Sequence, residues 1–175
     1  MAEEKKEKWL NYLSLTTILI AVCATLSTFK GGGYSTKAML NQSKASDQWA
    51  FYQAKSIKSD LYENQKSILE LESNNTSLNI DKDKLQKKID AYDQKIAKYA
   101  DDKAKIKKEA EDFEAVRDES KKHSEIFGIA VIFLQVSILL SSIAALLKKK
   151  PIWFVSIALG SVGIVYFLNG LLLFF

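Results

Sequence analysis

Cysteine, histidine and proline occur only once each in this chain of 175 residues, and these absences exclude several classes of protein. A single cysteine excludes an intramolecular disulfide framework and a zinc site built from thiolates. One proline and seven glycines leave few positions at which a helix must end. Charge is also scarce over long stretches, because residues 9–29 and 126–175 contain no Asp, Glu or Arg, and their only lysines are those at 148–150. Such strong segregation of charge excludes an ordinary compact soluble domain.

Three stretches are long and apolar enough to cross a bilayer, which requires about 20 residues. They cover residues 9–29, 125–147 and 152–175. The connection at 148–151 has room only for a tight turn, so the second and third spans should form an antiparallel pair. Its proline, Pro151, suits the start of the third helix, where a missing N–H needs no partner. We therefore predict a multi-pass membrane protein whose first partner is the lipid bilayer.

The first stretch also has features of a signal peptide, because lysines precede its apolar residues. Residues 20–23 approach a lipoprotein cleavage box, but Val22 stands where a small residue is required. We therefore expect an uncleaved helix that anchors the chain.

Orientation follows from the lysines in the short polar segments. Three lie in the tail at 1–8 and three in the turn at 148–151. Three spans put both segments on one side of the membrane, which the positive-inside rule assigns to the cytoplasm. Residues 30–124 are then predicted to lie on the periplasmic, or extracytoplasmic, side.

The polar block at 30–124 has the pattern of two long helices. The arms at 34–73 and 80–122 contain no Gly or Pro, and turn-forming residues cluster between them at 74–79. Gly31, Gly32 and Gly33 are expected to interrupt the helix where the chain leaves the bilayer, and a hinge that moves during function is the alternative. The mixed and nearly balanced charges of the block argue against binding to nucleic acid. The predicted fold is an all-α membrane protein, with three transmembrane helices and a long antiparallel coiled-coil hairpin outside the bilayer.

Each arm carries a stripe of residues in alternating three- and four-residue steps, which is typical of a coiled coil. In the second arm the stripe is Leu85, Ile89, Tyr92, Ile96, Tyr99, Ile106, Ala110 and Phe113, with Lys103 at one position. In the first arm it is Ala50, Ala54, Ile57, Leu61, Ile68 and Leu71, with Asn64 as a polar interruption. We predict that these two stripes face each other.

Four aromatic residues of the first arm, Trp49, Phe51, Tyr52 and Tyr62, lie off its stripe. Exposed aromatic patches usually mark an interface. We therefore predict that these rings join neighbouring copies of the chain in a homo-oligomer. Packing of the rings within the hairpin and contact with a separate partner or ligand remain alternatives.

The second and third spans contain small and polar residues at helical spacing. They are Gln135, Ser137 and Ser141 in the second span and Ser156, Gly160 and Gly163 in the third. Small residues allow helix backbones to approach closely, and polar side chains form hydrogen bonds across the contact. Helix packing is the favoured interpretation, and a pore lined by these positions is the alternative.

No pattern of residues indicates catalysis, a cofactor or a metal, so we expect that the chain is not an enzyme. We expect His123 to be solvated or interfacial at a membrane boundary, and Cys23 to fill apolar space in the first span. The acidic runs alternate with lysines, as on the solvated face of a helix.

The segment Gln42–Lys55 contains the string Ser-Asp-x-Trp-x-x-Tyr-Gln-Ala-Lys. It resembles the core of a family of bacterial inner-membrane proteins known only as a domain of unknown function. Members share one N-terminal span, a charged helical middle and two C-terminal spans. The resemblance implies that the chain lies in a bacterial inner membrane. It implies no particular activity, because the family has none assigned. Two functions remain open: a homo-oligomeric scaffold that displays helical hairpins, and a passive channel or lipid-conducting oligomer with a pore lined by spans two and three.

The predicted topology can be tested by labelling intact cells with an impermeant thiol reagent. In a Cys23→Ser background, Asn75→Cys should be labelled because it lies outside the cytoplasm, and Lys149→Cys should be protected. Labelling of Lys149→Cys but not of Asn75→Cys would reverse the assignment.

Overall fold

The structure is a computed structural model and describes residues 8–74 and 81–174. These residues form three helices and no strand: α1 at Lys8–Asn74, α2 at Lys82–Leu147 and α3 at Lys150–Leu172. Apart from Lys8 and Asn74, the predicted tail at 1–8 and the predicted turn at 74–79 lie outside the described residues. Two compact units result, one from the described residues up to Met39 together with those from Arg117 onward, and one from Leu40–Val116.

The three glycines at 31–33 do not interrupt α1, so the prediction of a helix break is wrong. None of them has a positive φ. Gly31 instead lies against α2, where an added Cβ would be 3.0 Å from the Cβ of Phe127. The hydroxyl of Ser124 donates a hydrogen bond of 3.1 Å to the Gly31 carbonyl. The missing side chain at Gly31 therefore serves close packing of two helices.

In the first unit, which we call the apolar unit, each helix contacts the other two. The rings of Trp9 in α1 and Trp153 in α3 lie 6.0 Å apart. Ile20 of α1 packs with Leu134 of α2 in the buried core of the unit. All three helices contain a segment long and apolar enough to cross a membrane.

The connection between α2 and α3 is as short as predicted, since only Lys148 and Lys149 separate the two helices. Lys148 adopts the left-handed conformation, with φ of 52°. The backbone N–H of Lys149 donates to the carbonyl of Ala144 at 3.1 Å, which satisfies one of the last carbonyls of α2. Pro151 lies in the first turn of α3, where no hydrogen bond is lost.

In the second unit, which we call the hairpin, the two arms pack side by side and run antiparallel. Lys55 pairs with Asp102 at 2.7 Å, and Lys66 pairs with Asp93 at 2.6 Å. The later residue of α1 therefore pairs with the earlier residue of α2, as in antiparallel helices. The second arm faces its partner with the predicted stripe. The buried residues of that stripe are Leu85, Ile89, Ile106 and Ala110, and its other members are half-buried.

The first arm faces its partner with a different side from the predicted one. Ile57 and Leu71 of the predicted stripe are 68% and 72% exposed. We call this solvent-facing set the outer stripe: Ala50, Ala54, Ile57, Leu61, Asn64, Ile68 and Leu71. The side that packs is marked by the buried Ala45 and Ser59. It carries large rings and lysines that find partners on the second arm, and these contacts decide the pairing.

The buried position Ile106 tests the packing of the hairpin. Ile106→Asp places an unpaired carboxylate between the arms, so it should destabilise the hairpin by about 3 kcal/mol. Ala104→Asp introduces the same charge at an exposed position of the same helix and should have little effect. Circular dichroism during thermal unfolding measures both. Equal loss of helicity in the two variants would contradict the described packing.

Candidate functional site

Three serines form a buried hydrogen-bonded cluster between α2 and α3. The hydroxyl of Ser137 donates to the carbonyl of Ser156 at 2.7 Å, and the hydroxyl of Ser156 donates to the carbonyl of Ser137 at 2.9 Å. Ser141 lies 2.6 Å from the Ser156 hydroxyl and donates to it, since the Ser156 proton is already used. All three side chains are fully buried. The cluster joins the two helices without leaving a hydroxyl unsatisfied.

Gly160 and Gly163 continue the same contact along α3. A Cβ added to Gly163 would lie 2.7 Å from Cγ of Leu134 and 3.1 Å from its backbone nitrogen. A Cβ added to Gly160 would lie 2.8 Å from both Ile20 Cδ1 and the Ser137 hydroxyl. Five of the six residues predicted for packing or a pore are therefore brought together in a helix contact within one chain.

Gln135 is the member that the structure separates from this contact. It is exposed on α2, whereas its neighbours Leu134 and Ser137 are buried. Sequence spacing could not assign the face of α2 that meets α3, because amide and hydroxyl groups both suit a polar helix contact. The packing face is set by Ser137 and Ser141, four residues apart.

His123 is buried, which contradicts the expectation of a solvated side chain. Its Nδ1 lies 2.7 Å from the carbonyl oxygen of Gly170 in α3. A carbonyl only accepts, so Nδ1 carries the proton and donates. The imidazole also stacks on the ring of Tyr34 in α1, with the ring centres 4.3 Å apart. His123 thereby links all three helices, a role that sequence could not reveal because both contacts are far away along the chain.

The predicted interface aromatics occupy two different environments. Trp49 donates from Nε1 to the carboxylate of Glu114 on the second arm at 3.0 Å, and Tyr52 packs edge-on against Trp49. Tyr62 lies against the rings of Tyr92 and Tyr99. Trp49 and Tyr62 thus pack within the hairpin, which is the alternative to the predicted interface between copies.

Phe51 is the fourth aromatic, and it faces outward. Half of its surface is exposed. The ammonium group of Lys55 lies 5.3 Å from its ring centre, a favourable position for a cation over an aromatic face. Phe51 is therefore the one predicted interface aromatic with a large exposed surface in this chain.

Ion pairs across the arms fix the pairing further. The hydrogen bond from Lys55 holds the pKa of Asp102 below its ordinary value, and the bond to Asp93 raises the pKa of Lys66. Lys95 donates to the hydroxyl of Tyr62 at 3.2 Å and lies 4.6 Å from its ring centre. These groups are partly exposed, so each contributes modestly to stability and mainly to specificity of the pairing.

Acidic, His and Cys side chains do not gather into a metal site within residues 8–74 and 81–174. Cys23 packs beside the buried core of the apolar unit. Two kinds of surface remain as candidates: the contacts among the three helices, and the faces that the hairpin leaves exposed.

Comparison with known proteins identifies the family. Residues 9–173 match the family described as Domain of unknown function (DUF4337), and the chain belongs to this family. This confirms the resemblance seen in the sequence. Searches among curated proteins and among solved structures gave no match.

Two glycines of the apolar unit provide a matched test of the helix contacts. Gly163→Ala should destabilise the chain by about 1–3 kcal/mol. The new methyl group would clash with the Leu134 side chain and also with the Leu134 backbone, so a change of side-chain rotamer alone cannot relieve the overlap. Gly128 is exposed and has no neighbour within 4 Å of an added Cβ. Gly128→Ala should therefore raise stability by up to about 1 kcal/mol through helix propensity.

Thermal unfolding of the purified variants in one detergent measures both effects. The opposite order, with Gly128→Ala the less stable variant, would contradict the described α2–α3 contact.

Proposed function

We propose that this chain is a structural protein of the bacterial inner membrane, not an enzyme. In this proposal its three apolar helices span the bilayer, its hairpin is displayed on the extracytoplasmic side, and several copies assemble into a scaffold. The family match gives no activity, so the proposal depends on the surfaces of the two units.

The outer surface of the apolar unit carries this proposal. Large aliphatic and aromatic side chains are exposed along its apolar segments, and Ile18, Ile132, Leu139 and Phe154 are each at least 60% exposed. The polar serine cluster is instead buried between helices. Hydroxyls buried between the helices and apolar side chains on the outside suit a surrounding of lipid, where no water is present to bind exposed polar groups.

Hydroxyl groups on this surface fit the same environment. Ser14, Thr25, Ser142 and Ser161 are exposed, and each donates to the carbonyl four residues earlier in its own helix, at 2.9–3.0 Å. Bonds of this kind let a hydroxyl face lipid without an unsatisfied donor.

One end of the apolar unit has the composition of a membrane–water interface. Trp9 and Trp153 pack together there, and Lys150 lies 5.9 Å from the ring centre of Trp9. Tryptophan is enriched at the level of lipid headgroups, and lysine is enriched on the cytoplasmic side. This end is the one that the positive-inside rule assigns to the cytoplasm.

A passive channel or lipid-conducting oligomer is the second candidate, and the exposed Gln135 favours it. An amide on the outer face of an apolar helix could line a pore shared by several copies. Ser141 and Ser156 support the scaffold instead, because their hydroxyls are already used inside one chain.

Light scattering and bilayer recordings on the purified chain separate the two candidates. The scaffold proposal predicts a detergent-solubilised particle with the mass of two or more chains and no conductance in planar bilayers. A monomeric particle would contradict assembly. Conductance that is lost in Gln135→Leu, but kept in Gln94→Leu at an exposed position of the second arm, would establish the channel instead.

A further inference from the structure

The first arm of the hairpin is apolar on two opposite sides, although the hairpin uses only one. At 3.6 residues per turn, Ala45, Ser59 and Tyr62 lie on the side that packs on the second arm. The outer stripe lies on the far side, and its Ile57, Leu61, Ile68 and Leu71 are 53–72% exposed. A helix with a single partner needs a single apolar face, so the outer stripe has no partner among residues 8–74 and 81–174.

The spacing of the outer stripe identifies the kind of partner. From Ala50 to Leu71 its seven positions follow strictly alternating steps of four and three residues. That repeat is the pattern with which one helix supercoils around another helix of the same repeat. We propose that the outer stripe is a coiled-coil contact with the outer stripe of a second copy of this chain, with the two first arms parallel and in register.

Asn64 specifies the register. It is the single polar residue among the seven, and it occupies a core position of the repeat. In a parallel pair in register, Asn64 meets Asn64 of the other copy, and the two amides can bond to each other. In an antiparallel pair it would face an aliphatic side chain and lose its partner. Such polar core positions commonly fix register in coiled coils.

The charges beside the stripe are compatible with that arrangement. In a parallel pair, a residue that flanks the core of one helix lies beside the residue five positions later in the other helix. Gln53 then meets Lys58, and Ser67 meets Glu72. The remaining contact joins Asp60 to an uncharged Gln65, so no two like charges are brought together. Phe51 flanks the small residues Ala50 and Ala54, where it can cover the closest approach of the two helices.

The exposed area of Phe51 and the outer stripe is modest, and anchoring of the chain in the membrane compensates for it. The exposed parts of Phe51 and the four large aliphatic residues amount to roughly 500 Å² on each copy, in the range of functional surface patches. Two copies would bury at most about 1,000 Å² through these side chains, below the limit of about 1,200 Å² for stable interfaces. Here the inference rests on the proposed function: anchoring in one membrane holds first arms in the same direction and raises their effective concentration.

Cysteine cross-linking of the full chain in membranes tests the contact directly. In a Cys23→Ser background, Asn64→Cys places two thiols at one core position of the pair, within reach of a disulfide. Most of this variant should become a disulfide-linked dimer under mild oxidation. Ala97→Cys, exposed on the second arm, is the matched control and should form little dimer.

Charge substitution gives the second measurement. Leu61→Glu combined with Ile68→Glu places repelling carboxylates along the contact and should lower the mass of the solubilised particle. The helicity should not change, because both side chains are exposed in the hairpin. Ala97→Glu combined with Ala104→Glu adds the same charge to the second arm and should keep the wild-type mass.

The inference is overturned if Asn64→Cys forms no more dimer than Ala97→Cys, or if the Leu61 and Ile68 double variant keeps the wild-type mass. If the wild-type particle is oligomeric in either case, the scaffold proposal stands and only this contact is wrong. A monomeric wild-type particle, in contrast, contradicts the proposed function itself.

Discussion

Hydrogen bonding of hydroxyls in an apolar environment is the constraint on which the apolar unit depends. Ser137 and Ser156 each satisfy the other's carbonyl, which is possible only when α2 and α3 meet at this point. The close approach then requires glycine at position 163, where Leu134 fills the space. The same two helices are also joined by the bond from His123 to the last turn of α3.

A different principle governs the hairpin. The first arm has two apolar sides, and only one of them packs on the second arm. The side of the first arm that packs on the second arm carries rings with polar tips, such as Trp49. It also carries lysines whose ammonium groups reach carboxylates on the second arm. On this packing side, buried area and directional bonds act together, whereas the outer stripe offers aliphatic area and a single amide, Asn64. Because the outer stripe keeps a regular heptad spacing, it remains suited to another helix of the same kind.

The sequence predicted most where one pattern had one explanation. The second arm has a single apolar side, so its stripe was assigned correctly, and the short turn before Pro151 left one possible geometry. The prediction for the first arm is wrong because periodicity measures regularity of spacing, while pairing is decided by side-chain size and by partners such as Glu114. The sequence also predicts a helix break at glycines 31–33, whereas the space at Gly31 is needed by Phe127. Contacts between residues far apart in the chain, such as that of His123 with Gly170, leave no trace in local sequence.

The central claim is that the hairpins of neighbouring copies associate through the outer stripe while the apolar helices anchor them. An electron cryomicroscopy map of the full chain in lipid nanodiscs would test it most directly. The account predicts that the first arms of two copies lie parallel over residues 50–71, with helix axes about 8–10 Å apart, and that the two Asn64 side chains meet. A map in which the outer stripe faces solvent, or packs on the second arm of another copy, would contradict it.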